Sequence, residues 1–114
     1  MSIQSNLFDT LKGLVNNKVY PIVAPQKTTP PYIVYQRISP FDTQTIEGTQ
    51  SLDLARFQIS IYSKDYNESL NIAESVKDAM SGKALLLGHF DDYEPDTFLF
   101  YQKIDYQLSD DIFS

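Results

Sequence analysis

Ile3, Leu7, Leu11 and Leu14 recur at spacings of four, four and three, which lines one face of a helix with apolar side chains. Phe8 and Val15 widen that stripe, and Ser2 supplies an N-cap. Gly13 and Asn16-Asn17 end the helix between Leu14 and Asn17. The next segment cannot be helical. Pro21, Pro25, Pro30 and Pro31 fall within eleven residues. Each fixes φ, removes a backbone donor and biases its predecessor toward extended geometry, so Val19 to Pro31 reads as a stiff connector.

Tyr32 to Ser39 is dense in β-branched and aromatic residues and reads as a strand, ended by Pro40. A second strand spans about Leu52 to Tyr62. Ala55, Phe57, Ile59 and Ile61 alternate there with Arg56, Gln58, Ser60 and Tyr62, the period of a sheet buried on one face. Leu52 and Leu54 fall on the polar face of that alternation unless a bulge near Ala55 resets the register. Asp65 with Glu68 three residues on forms an aspartate version of the capping box. It opens a helix with inward positions Tyr66, Leu70, Ala73, Val76 and Met80, closed by Gly82. Leu85 to Tyr93 reads as a third strand and Glu94-Pro95-Asp96 as a turn. Thr97 to Leu108 is a fourth strand, with Phe98, Phe100, Ile104, Tyr106 and Leu108 on one face.

The order is α-β-β-α-β-β, and the simplest α+β arrangement that buries every stripe is a four-stranded antiparallel sheet with both helices packed on one face. The segment from about 40 to 52 is too long for a hairpin turn, which usually takes two to five residues. It reads as a long protruding β-hairpin arm, mobile in the free subunit. Its apolar tips Phe41 and Ile46, with the wrong-faced Leu52 and Leu54, suit packing on a neighbouring subunit.

At 114 residues the chain suits one domain, 1–114, with a single small core. It has 42% apolar and 21% charged residues, which excludes general disorder. The formal charge is −6 and the nine basic residues are scattered, so the concentrated basic footprint of a nucleic-acid binder is missing. There is no cysteine for disulfide, thiolate or zinc chemistry. The first residues carry no basic leader and no long apolar run, so a soluble, cytoplasmic product is expected, with no membrane partner. Eight Tyr and seven Phe are a rich aromatic supply for a small domain and point to protein partners.

Candidate chemistry is sparse. His89 is the single histidine and lacks the convergent groups that a catalytic or metal site requires. Asp91, Asp92, Glu94 and Asp96 place four carboxylates within six residues, but the spacing fits no calcium loop and Pro95 stiffens it. It reads as a solvated turn, and no cofactor or metal is expected. Arg37 and Arg56 fall on strands expected to be adjacent, with Asp53 and Asp105 available as partners, and are assigned to an interface or a lumen. The competing reading is a small enzyme or ligand-binding domain built on the Tyr-rich surface and the His89 to Asp96 segment. It requires a deep pocket with convergent polar groups.

The spacing of apolar, aromatic and proline positions carries a resemblance over nearly the whole chain. It runs through Leu11 and Leu14, Val19-Tyr20-Pro21, Ala24-Pro25-Gln26 and Pro30-Pro31-Tyr32-Ile33-Val34-Tyr35-Gln36. It continues through Arg56, Phe57, Gln58, Ile59, Tyr62, Tyr66, Ala73 and Tyr93-Glu94. In this pattern the chain resembles the small tail-completion proteins of long-tailed bacteriophages, which look like the tail terminators of lambda-type phages. The resemblance implies an α+β fold and a homohexameric ring on the head-proximal end of the tail tube. Such a ring stops tube polymerisation and joins the tail to the head connector by binding, without catalysis. Implied partners are further copies of the chain, the tail tube protein and the connector, with a subunit that can be monomeric where the ring depends on a template. DNA passes through without being specifically bound, and the place is the virion tail, after assembly in the host cytoplasm. A head-completion or neck protein of the same virion is the nearest alternative. Phe41, Ile46, Leu52, Leu54, Arg37 and Arg56 are the residues assigned to the subunit or partner interface.

Overall fold

The computed structural model describes residues 3–38 and 54–109. Helix α1 covers Ile3–Leu11 and runs into a 3-10 turn at Lys12–Leu14. Strands β1 (Val19–Pro21) and β2 (Tyr32–Arg37) follow, then β3 (Leu54–Ser63), α2 (Tyr66–Met80), β4 (Ala84–Glu94) and β5 (Leu99–Ser109). The strands form one sheet in the order β1-β2-β3-β5-β4, with α1 and α2 contributing to a single core.

The α+β class matches the expectation, but the sheet is five-stranded and mixed, where four antiparallel strands were expected. The added strand is β1, drawn from the proline-rich connector and paired parallel to β2 (Val19 opposite Ile33, Pro21 opposite Tyr35). Pro21 has no N–H to donate, and an edge strand is where a sheet tolerates it. The hydrogen bond from Ile33 N–H to the Lys18 carbonyl, 2.9 Å, and that from Ile22 N–H to the Tyr35 carbonyl, 2.8 Å, hold the two strands together.

Period-two alternation does the sorting at the centre of the sheet. Phe57, Ile59 and Ile61 of β3 are buried against α1 and α2, with Ile33 and Tyr35 of β2 and Ile104 and Tyr106 of β5 in the same layer. The β3–β5 register is unbroken from Leu54 to Ser63, so no bulge resets β3 at Ala55 and Leu54 keeps the parity of Arg56 and Gln58. The irregularity lies in β4, between Leu86 and Gly88. The arm at 40–52, with Phe41, Ile46 and Leu52, lies outside the described residues.

Helix α2 starts where the capping signal placed it. The Asp65 carboxylate accepts the Glu68 N–H at 2.8 Å. The return half of the box passes through a third residue. Ser63 Oγ donates to the Glu68 carboxylate and accepts the Asp65 N–H at 3.1 Å. The buried positions of α2 are Ser69, Ala73, Val76 and Met80, whereas the sequence pattern put Tyr66 and Leu70 inward. Tyr66 occupies the first turn, beyond the end of the core, and is exposed. After Met80 the chain turns at Gly82, whose φ of 80° suits a residue without Cβ. The β4–β5 turn also differs from expectation, taking in Pro95 to Phe98. Phe98 N–H closes it on the Glu94 carbonyl at 2.9 Å, and its φ of 60° turns the ring away from the core face assigned to it.

Two outcomes test this packing. Ile59→Ala should destabilise the fold by about 2–5 kcal/mol in urea unfolding, because the side chain is fully buried in the core and its removal leaves a cavity. Asp65→Ala should cost about 1 kcal/mol by the same measurement, through the unpaired Glu68 N–H.

Candidate functional site

The face of the sheet away from the helices carries an aromatic ladder. Register sets Tyr32 of β2, Tyr62 of β3 and Tyr101 of β5 side by side. The Tyr32 and Tyr62 rings stack at 5.0 Å between centroids, and Tyr62 meets Tyr101 at 5.4 Å. Lys103 Nζ sits 5.1 Å from the Tyr101 ring centre. The connector that follows β1 walls one side of this floor and the β4–β5 turn the other, leaving a groove of about 570 Å³ bordered by Ile22, Val23, Pro30, Lys64 and Glu94. Burial raises the Tyr32 and Tyr62 phenols above the usual range, and the Glu94 carboxylate adds to both shifts. These phenols are neutral hydrogen-bonding groups at physiological pH, not bases.

His89 lies on the opposite face, toward α2. It is half-buried, and its Nε2 is 2.7 Å from Gln102 Oε1. Gln102 is fully buried, and its Nε2 donates to Ser69 Oγ at 3.1 Å; Ser69 Oγ donates in turn to the Tyr66 carbonyl at 2.7 Å. This donor order assigns a hydrogen to His89 Nε2. Each member of the chain has a hydrogen-bond partner, as buried polar groups require. His89 is thus part of a strut from β4 through β5 to α2. The sheet separates His89 from the tyrosine groove, whereas Glu94 of the same segment borders that groove and Asp92 accepts from Tyr101.

The acidic segment is likewise divided by strand parity. Asp91 accepts the Tyr66 hydroxyl at 2.6 Å on the helix side, and that hydrogen bond, followed by burial, raises the Tyr66 phenol. Asp92 accepts the Tyr101 hydroxyl at 3.2 Å on the ladder side. Glu94 accepts the Thr97 hydroxyl at 2.6 Å within the turn. Among the described residues no three His, Cys, Asp or Glu side chains converge as metal ligands. No helix among them is long and apolar enough to cross a membrane.

Of the six residues assigned to an interface, Phe41, Ile46 and Leu52 lie outside the described residues, and Leu54 is described by its pairing with Ser109. Arg37 and Arg56 are exposed on adjacent strands at the root of the arm, where Ile38 N–H reaches the Arg56 carbonyl at 2.8 Å. Asp105, offered to them as a partner, instead accepts from Gln58 Nε2 at 3.1 Å.

The sequence reading missed the edges of the sheet. Strand β4 is an edge strand eleven residues long, and its Leu85, Leu86, Leu87 and Phe90 are exposed. At the other edge Ile22 and Val23, just past β1, are the most exposed of the large aliphatic side chains among the described residues. Three leucines in a row were the available signal, because a half-buried strand cannot place consecutive residues on one face.

The model of the family described as tail completion protein gp17 matches residues 8–108. Among solved structures, a chain of the virion of a native gene transfer agent particle superposes with a TM-score of 0.68 at 15% sequence identity. The match covers 93% of this chain and 92% of that chain, a likeness of fold. No curated protein matches the chain.

Tyr106 yields a pH prediction. Burial pushes its phenol up from 10.0 to about 12, with the Glu74 carboxylate adding to the shift. The folded chain holds this proton more tightly than the unfolded chain does. Its contribution is therefore complete below pH 10 and is lost as pH rises through about 12. Tyr106→Phe should remove about 1–2 kcal/mol of the stability loss over that interval, read from urea midpoints at neutral and alkaline pH.

Proposed function

The chain belongs to the tail completion protein gp17 family and is a structural protein of the phage tail, and on that premise we propose that it caps the head-proximal end of the tail tube. As a ring of identical subunits it halts tube polymerisation and offers the surface on which the head connector docks. It acts by binding, without catalysis, and its partners are further copies of itself, the tube protein and the connector.

The observation that carries this reading is the family match across nearly all of the chain. Two physical features support it. The described body holds its only histidine in a structural strut on the far side of the sheet from its open groove, which is poor equipment for chemistry. Its net charge of −6 suits a passage for DNA, since like charge discourages phosphates from adhering. The arm is the proposed clasp on the neighbouring subunit, through Phe41, Ile46, Leu52 and Leu54, with Arg37 and Arg56 exposed at its root.

Disrupting the gene and imaging the lysate tests the role. A terminator leaves full heads unattached beside tails of uncontrolled length. Tails of normal length beside unjoined heads would instead assign the protein to the neck. For the arm, Leu54→Asp should leave the thermal unfolding transition in place. It should weaken self-association by light scattering at least about tenfold, equivalent to about 1.4 kcal/mol per contact; unchanged assembly would remove Leu54 from the interface.

A further inference from the structure

Two apolar patches sit at opposite edges of the one sheet. At the β1 edge, Ile22 and Val23 are 73% and 72% exposed. At the β4 edge, Leu85 is 59% and Phe90 55% exposed, with Leu87 beside them. Three strands lie between the edges, which sets β1 and β4 roughly 19 Å apart at about 4.8 Å per strand spacing. Their charges are opposite. The β1 side carries Lys27, exposed, and Lys18, whose ammonium is tied only to the Thr29 carbonyl and hydroxyl at 2.8 and 3.3 Å. The β4 side carries Asp91 and Asp92, which are exposed and answered only by hydroxyl and amide donors.

Backbone geometry marks the first patch as built. Val23 N–H closes on the Pro21 carbonyl at 2.6 Å around Ile22, which is held at a φ of 66°. A β-branched residue reaches that region only under strain, and the Ile22 side chain stands in solvent. The second patch is an edge without the usual protection. Between Ala84 and Glu94 there is neither proline nor lysine, and the irregularity at Leu86–Gly88 and the acidic pair are its only blunting devices.

We propose that the β4 edge of one copy, through Leu85, Leu87 and Phe90, packs against Ile22 and Val23 at the β1 edge of the next copy, with Asp92 facing Lys18 and Lys27. The inference rests on the ring reading and names the surfaces that close it. A two-fold contact would cover one patch twice and leave the other bare, whereas a head-to-tail contact covers both and repeats around a ring. The contact is made by side chains and does not extend the sheet, because Pro21 offers no N–H and the β4 ladder is broken at Leu87.

The chain has no cysteine, so a single introduced thiol reports on one surface alone. Val23→Cys and Leu87→Cys chains, each confirmed as folded by circular dichroism, are mixed and treated with a short bismaleimide. The expected product is a mixed dimer, with neither variant crosslinking to itself, and the double variant should give a ladder that ends at the ring. Leu87→Cys chains that crosslink to each other would overturn the head-to-tail geometry. A ring visible by microscopy without mixed crosslinks would overturn these surfaces and leave the ring intact. A wild-type chain that stays monomeric both alone and with tail tubes would remove the ring and this contact together. The charges give a second readout. Lys27→Glu chains and Asp92→Lys chains should each associate at least about tenfold more weakly than wild type, and mixing them should restore assembly, because each interface then regains an opposite pair. Equal weakness in the mixture would separate those charges from the contact.

Discussion

The register of β3 is the constraint on which everything else depends. It is flanked by β2 and β5, so one setting of its backbone pairing decides the faces of three strands at once. As paired, Phe57, Ile59 and Ile61 meet the helices while Arg56, Gln58 and Tyr62 face away. A slip of one residue would drive Arg56 into the core and put three large apolar side chains in water. The tyrosine ladder and the Gln58–Asp105 contact are consequences of the same setting.

The helices add a second constraint at the end of the sheet where the core becomes polar. Gln102 shares its face with Ile104 but meets Ser69 of α2 and His89 of β4. An apolar residue there would leave the serine hydroxyl and the imidazole without this partner. The network therefore ties α2 to β4 and β5 by directional hydrogen bonds in addition to packing. The relay of Ser63, Asp65 and Glu68 anchors the start of the same helix to the end of β3.

For a protein of the tail completion family the unused surface matters as much as the core. A small domain must leave much of its apolar content outside, and scattered exposed residues carry no message. In this chain they gather at the two edges of the sheet, with opposite charge beside them. That segregation is what the proposed contact between copies draws on. The open groove between the edges, floored by neutral phenols, offers shape to a partner without offering reactivity.

The helices, the central strands and the inward residues of β3 were legible in the sequence, because hydrophobic period and capping chemistry are local properties. Gly82 and Asp65 marked the ends of α2 for the same reason. The parallel strand β1 was not legible, since three residues of a proline-rich connector carry no period and acquire one only when β2 lies beside them. Tyr66 and Phe98 were read as inward because alternation and helical period continue on paper past the point where the core ends. The division of His89 from the tyrosines, and of Asp91 from Asp92, depended on strand parity and on which face the helices cover. Which leucines would stand at an edge was decided by strand order, a long-range property that no local window contains.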